Sequence, residues 1–477
     1  VPGVALNDRA GAKRVCGAEN SPARRSSQKY GFVNRLRLSA PPERPVSAAN
    51  ARFGAVGGLG KPPVRWSRYF RGPMPAPALP YVRSLDAVRA GAVLVVMLSH
   101  WPHGHWQLAA GWVGVQVFFV LSGFLITRLL LADRTRPLGP FLRRFYWRRT
   151  LRIFPLYYGY LLLAGGGLLA LAATGAHLSG WLAEGARAAR TDGPWLLTYL
   201  YNWQDLVHWL DGLPDSHRSR FFNHLWSLSV EEQFYLAYPL LVWWLRPARL
   251  RRLLVALVVA GPLVRLGVGE WLRSVPAAPN AWAFFLHRAT VFYLDALALG
   301  GLLALGVGNG IGRPGRWLAA ALAAGAVWNF GWQWGWHEAL GRAWPTWRWL
   351  GYEHPLEQYV AAARAPSWLR LPWAVLPSVV AAQAALLILW AVRVDTAAPR
   401  WLTDGPAAWL GRISYGLYVW HMPLSLLALW EPAYGWLKSG WLSETVGLST
   451  YLLASVGAAA GSYHGFEKIF LRMKDAK

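Results

Sequence analysis

Residues Gly111 to Leu131 read GWVGVQVFFVLSGFLITRLLL, 21 positions with one charge, Arg128. As a helix this run is about 31 Å long, which matches a hydrocarbon core of roughly 30 Å. Lipid offers no partner to an unpaired backbone N–H or C=O, so the run must be helical if it crosses. The rest of the chain agrees. Over 477 residues, 55% are hydrophobic and 15% charged, a balance that suits a polytopic membrane protein and strains a soluble multi-domain one. The expected fold is all-α: a transmembrane helix bundle with about ten spans, near 86–101, 111–131, 151–173, 226–245, 253–272, 283–305, 317–336, 372–392, 409–430 and 441–464. The stretch PWLLTYLYNW at 194–203 is too short to cross and is expected as a re-entrant or interfacial helix.

The formal charge of +26 suggests nucleic acid only until it is located. Residues 1–80 hold 14 Lys/Arg against 3 Asp/Glu, in a leader rich in Ala, Pro, Gly and Ser that lacks both a core-forming apolar run and a signal-peptide h-region. It is expected to be a disordered basic extension, or upstream sequence outside the functional protein. The organisation expected is this leader, a membrane domain over 81–472 and a short tail, 473–477. No nucleic-acid partner is expected. The single cysteine, Cys16, lies in the leader, so an internal disulfide and a thiol nucleophile in the membrane part are both excluded.

Orientation follows the arginines. Between Arg128 and Arg152 there are eight Arg and one acid, Asp133, and RPARLRR at 246–252 adds four more Arg. The 101–110 connection has no Lys, Arg, Asp or Glu, and 174–225 balances four Arg with five acids. Both termini are therefore expected in the cytoplasm of a bacterial-type inner membrane, with Arg89 near the inner end of the first span and His100 near the outer end. The 337–371 connection, dense in Trp, reads as a headgroup-level aromatic belt, or else as rings that stack on an acceptor sugar.

Ionisable residues inside apolar spans are costly, which makes each a candidate for function. In RAGAVLVVMLSH, eleven helical steps place Arg89 and His100 about 16 Å apart on nearly one face, as the two ends of a polar track. Taken singly, Arg89 is a snorkelling arginine and His100 a residue at the bilayer edge. In RRFYWRRTLRIFPLYY, Arg149 and Arg152 stand at i and i+3, and guanidinium forks at that spacing suit phosphates. The other arginines there set topology or meet anionic lipid. In NHLWSLSVEEQFYLAYPLL, Glu231 and Glu232 enter an apolar span about 100° apart. One is expected to orient or charge-balance His100 and the other to pair with an arginine, or both to form a structural ion pair. Asp295 is a further intramembrane acid. Tyr415, Tyr418 and His421, at i, i+3 and i+6, share a face and can close the same cavity. No metal is expected.

These segments resemble the acyltransferase-3 family of integral-membrane O-acyltransferases. The resemblance rests on LDAVRAGAVLVVMLSH, GVQVFFVLSGFLI, RRTLRIFPLYY, WSLSVEEQFYLAYP and ISYGLYVWHMPL, with SYHGFEKIF as a weaker sixth. It implies that Arg89 and His100 are essential, and that Arg149 and Arg152 meet the donor, expected to be acyl-CoA and most commonly acetyl-CoA. It also implies that Glu232 is the signature carboxylate and Asp295 a recurrent acid. Gln116 stands where many members have Asp, and Ile469 where Pro often follows Glu-Lys. Some relatives carry an extracytoplasmic hydrolase-like domain after the bundle; with 13 residues after the last expected span, none is expected here.

Together these readings imply an acyl group moving from cytoplasmic acyl-CoA to a hydroxyl of an envelope saccharide, glycolipid or small molecule at the outer side. His100 is the general base or an acyl carrier. The reading from another class is a transporter or lipid-linked sugar flippase with an intramembrane proton relay through Arg89, Glu232, Asp295 and His421. A scaffold role in polysaccharide export leaves the polar constellations without a purpose.

Overall fold

The computed structural model describes residues 81–102, 106, 108, 111–175, 178, 180–210, 219–274, 285–339, 371–429, 435–437 and 439–475. The basic leader and most of the aromatic-dense 337–371 connection lie outside these. Among the described residues every regular element is helical, with no strand. The principal helices are α1 (Ser84–Ser99), α2 (Gly111–Asp133), α3 (Leu138–Ala173), α4 (Gly180–Thr191), α5 (Gly193–Leu197), α6 (Gln204–Leu210), α7 (Trp226–Trp244), α8 (Pro247–Ser274), α9 (Leu294–Ala304), α10 (Pro314–Ala339), α11 (Leu371–Val394), α12 (Pro406–Arg412), α13 (Ser414–Ser425) and α14 (Trp441–Ser462).

Four of these are long and apolar enough to cross a membrane: Gly111–Asp133, Leu138–Ala173, Pro247–Trp271 and Ala374–Val394. The remaining expected spans form shorter, more polar or broken helices. The apolar run at 283–305 yields an α-helix of only 11 residues, α9. The cause lies just upstream. Arg288 is held by Asp205 at 3.2 Å and by the Asn223 side chain, and Ala289 turns extended before a 3₁₀ turn at Thr290–Phe292. Likewise 409–430 splits at Ile413 into α12 and α13. The expected span at 151–173 is instead the later part of a 36-residue helix that starts at Leu138. The arginine-rich stretch is thus a helical extension of that span rather than a loop, and a π turn at Leu161–Gly166 interrupts it.

Helix α2 is the hub, with 72% of its apolar window buried against 22% for α8. A side chain on Gly123 would strike the Leu297 carbonyl of α9, and one on Gly300 would strike that of Val120. Backbones meet there without intervening side chains, the contact small residues permit where lipid removes the usual hydrophobic drive. Helix α1 packs on the other side of α2, and Gly411 lies against the Asp86 backbone. The segment 193–210 is a series of short helical turns laid on the bundle, as its length requires.

Candidate active site

His100 caps α1. Its Nδ1 lies 3.0 Å from the Val96 carbonyl oxygen and 3.1 Å from Nε2 of His421. A carbonyl only accepts, so Nδ1 carries the proton and shares it with Val96 and His421, and Nε2 is left as the nitrogen with the lone pair. The chain of bonds continues consistently: the other nitrogen of His421, Nδ1, donates to the Tyr418 carbonyl at 2.6 Å. A third histidine joins them. His224, on the 3₁₀ turn before α7, donates from Nε2 to the Val419 carbonyl at 3.1 Å, and its ring centroid lies 5.3 Å from that of His421. Its Nδ1 is buried and has no hydrogen-bond partner among the described residues. The Tyr418 hydroxyl donates to the His224 carbonyl at 2.8 Å and meets the Ser227 hydroxyl.

The second cluster gathers on the neighbouring turns of α3 and α7. Glu231 stands beside Tyr235 and Ser122, whose hydroxyls touch one another. Arg149 places its guanidinium 5.9 Å from the centre of the Tyr235 ring, within electrostatic reach of Glu231 and Glu232. Neither Nε of Arg149 nor Oε1 of Glu232 has a hydrogen-bond partner among the described residues. Buried groups of this kind cost about 1–3 kcal/mol each when left unmade, which marks them as places for a ligand. One turn on, Arg152 faces Glu467 and Tyr415, and the Tyr415 hydroxyl donates to the Ile153 carbonyl at 2.8 Å.

Arg89 is paired at 2.5 Å with Asp86, which is 1% exposed and also accepts from the Tyr81 hydroxyl. Burial, followed by the Asp86 carboxylate it donates to, pushes the Tyr81 phenol up to about 12, so it remains a donor at any physiological pH. Arg89 also reaches Glu231 electrostatically, and Glu231 in turn reaches Tyr418. A polar line therefore runs from Arg149 through Glu231 and Tyr418 to His421 and His100. Arg89, His100, Glu231, Glu232, Arg149 and Arg152 are each partly buried.

Two sequence expectations resolve differently. The partner of His100 is His421 rather than a carboxylate of the Glu231–Glu232 pair. Asp295 lies away from the line, in an ion pair with Arg265 at 2.6 Å, both residues 1% exposed. Ser378 donates to the same carboxylate, and Arg265 also donates to the Ala374 and Phe292 carbonyls. A cleft beside this pair, lined by Trp112, Gln116 and His287 among others, has room for about one water. Sequence reasoning also passed over His224, Asp86, Glu467 and Tyr199. Asp86 is the one with a local signal, because it stands one turn before Arg89 on the same helix.

Comparison with known proteins identifies the family. A family model described as an acyltransferase domain matches residues 82–463. A peptidoglycan O-acetyltransferase of Listeria monocytogenes is 32% identical over 191 residues, 37% of this chain and 27% of its own length. A Bacillus subtilis protein named as a candidate peptidoglycan O-acetyltransferase is 33% identical over 164 residues, 34% of this chain and 23% of its own. A Staphylococcus aureus protein named as a candidate O-acetyltransferase is 29% identical over 229 residues, 47% of this chain and 34% of its own. The chain thus spans about a third or less of these curated relatives. No solved structure matches.

Proposed function

This chain belongs to the acyltransferase-3 family, and from that premise we propose that it is a membrane O-acyltransferase that moves an acetyl group from acetyl-CoA to a hydroxyl of a cell-envelope saccharide. The names of its relatives support the acetyl group and the envelope acceptor. The observation that carries the reading is the hydrogen bonding of His100, which ties up Nδ1 and leaves Nε2 with a lone pair.

The steps follow from the chain's own residues. Donor phosphates are anionic and meet the arginine-rich start of α3, with Arg149 and Arg152 as anchors. The thioester end reaches along the polar line toward His100. Nε2 takes the proton of the acceptor hydroxyl as its oxygen attacks the thioester carbonyl, and the C–S bond then breaks. The same imidazolium returns the proton to the departing thiolate. His421 and Val96 hold the ring in the tautomer this needs, and His421 shares the proton on Nδ1. Arg89 supplies fixed charge beside the polar line, and Glu231 stands within electrostatic reach of both Arg149 and Arg89.

Purified protein incubated with radiolabelled acetyl-CoA and envelope glycan tests this. Wild type should release free CoA and label the glycan, while His100→Ala, with unchanged thermal melting, should do neither. Full labelling by that variant removes His100 from the chemistry, and absence of CoA release by wild type with any glycan acceptor favours a transporter instead.

A further inference from the structure

Tyr199 stands out on three independent grounds. Its backbone is left-handed, with φ at 56°, a conformation that costs a bulky residue of order 1–3 kcal/mol and persists only where its surroundings enforce it. Those surroundings are identifiable. Gln233, the residue after Glu232, donates from Nε2 to the Tyr199 carbonyl at 2.8 Å and to Asn202 Oδ1 at 2.7 Å. Its Oε1 accepts from Trp203 at 2.9 Å and Thr290 at 2.5 Å. A saturated glutamine on α7 thus pins the short 193–203 segment beside the Glu232 carboxylate.

The ring is fixed as firmly as the backbone. It stacks on Tyr157 with centroids 4.2 Å apart, and on Phe154 at 5.6 Å. Its hydroxyl, by contrast, is buried with no hydrogen-bond partner among the described residues. The neighbouring phenols of Tyr157 and Tyr158 donate to the Leu196 and Leu197 carbonyls at 2.8 and 3.0 Å, so burial alone does not explain the orphan. The Tyr199 hydroxyl lies within electrostatic reach of Glu232 and Tyr415, and Glu232 within reach of Arg149. A hydroxyl donor, a carboxylate acceptor and a guanidinium N–H, all unsatisfied, therefore share one neighbourhood.

A ligand that satisfies all three carries an anion at one end and an amide, with its C=O and N–H, further along. We propose that Tyr199 and Glu232 bind an amide of the pantetheine arm of the thioester donor. The Tyr199 hydroxyl donates to the amide carbonyl and Glu232 Oε1 accepts from the amide N–H. Arg149 holds the phosphate side. This rests on the acyl-CoA reading above and adds a donor-positioning residue to it. The strained backbone then has a purpose, since it turns the phenol of a surface-laid segment inward to where the arm passes.

The test uses the full chain in detergent and the isosteric Tyr199→Phe, which deletes one oxygen. Without donor, the variant should melt at or slightly above the wild-type temperature, because it loses an unpaired buried hydroxyl. KM should rise about 5- to 10-fold, the worth of one hydrogen bond, for both acetyl-CoA and acetyl-pantetheine. It should stay unchanged for S-acetyl mercaptoethanol, which has no amide. Arg149→Gln should raise KM for acetyl-CoA alone. Equal loss on the amide-free thioester, or no loss on any donor, overturns the assignment of Tyr199 while wild-type transfer leaves the enzyme reading standing. If wild type transfers acetyl from none of the three, the enzyme reading falls and takes this one with it.

Discussion

His100 owes its reactive nitrogen to what holds the other one. The Nδ1–H is committed to Val96 and His421, so the lone pair stands on Nε2 whether or not substrate is present. His421→Phe fills the same space but removes the acceptor. It should lower kcat about tenfold, the value of one orienting hydrogen bond, while leaving KM for the donor and the melting temperature near wild type. An unchanged kcat would show that Val96 alone sets the tautomer. At this scale the sequence made Arg89, His100 and both glutamates visible as costly groups in apolar runs, and Arg149 and Arg152 visible as an i, i+3 pair of guanidinium forks. It hid His224 and Tyr199, since a histidine before a helix and a tyrosine in a short apolar piece look ordinary until distant segments fold onto them.

Among elements, the Arg265–Asp295 pair fastens α8 to α9, and through Ser378 to α11. Removing one charge strands the other in a buried site. Arg265→Met should therefore destabilise the protein by about 3–5 kcal/mol, and the double change Arg265→Met with Asp295→Asn should recover much of that. Thermal melting in detergent measures both, and a double variant no better than the single would show that the arginine's bonds to the Ala374 and Phe292 carbonyls matter more than the pair. Helical character was readable throughout from apolar periodicity and length. The breaks were not. The run at 283–305 is apolar over most of its length, and what interrupts it is the grip of Asp205 and Asn223 on Arg288, partners more than 60 residues away in sequence. Asp295 was likewise singled out, but its ion-pair partner Arg265 was not, because that arginine lies within an apolar run of another helix.

For the molecule as a whole, we propose from the arginine distribution that α3's basic start lies inside and the α1–α2 connection outside. With Cys16 replaced by Ser, a single cysteine at Trp106 should react with a membrane-impermeant maleimide added to intact cells, and one at Arg143 should react only after the cells are opened. Both positions are exposed, so access reports the side of the membrane; the reverse pattern inverts the topology and places donor and acceptor on swapped faces. The length of α1 adds a mechanical point. Its 16 residues rise about 24 Å, several ångströms short of a typical acyl-chain layer. If α1 is the first span, as proposed, the bilayer must dimple around it or let the aqueous phase reach inward at both ends. Thinning of this kind shortens the tunnel that a reactive thioester would have to traverse, and it makes the thickness of the host lipid a control on turnover that no side chain supplies.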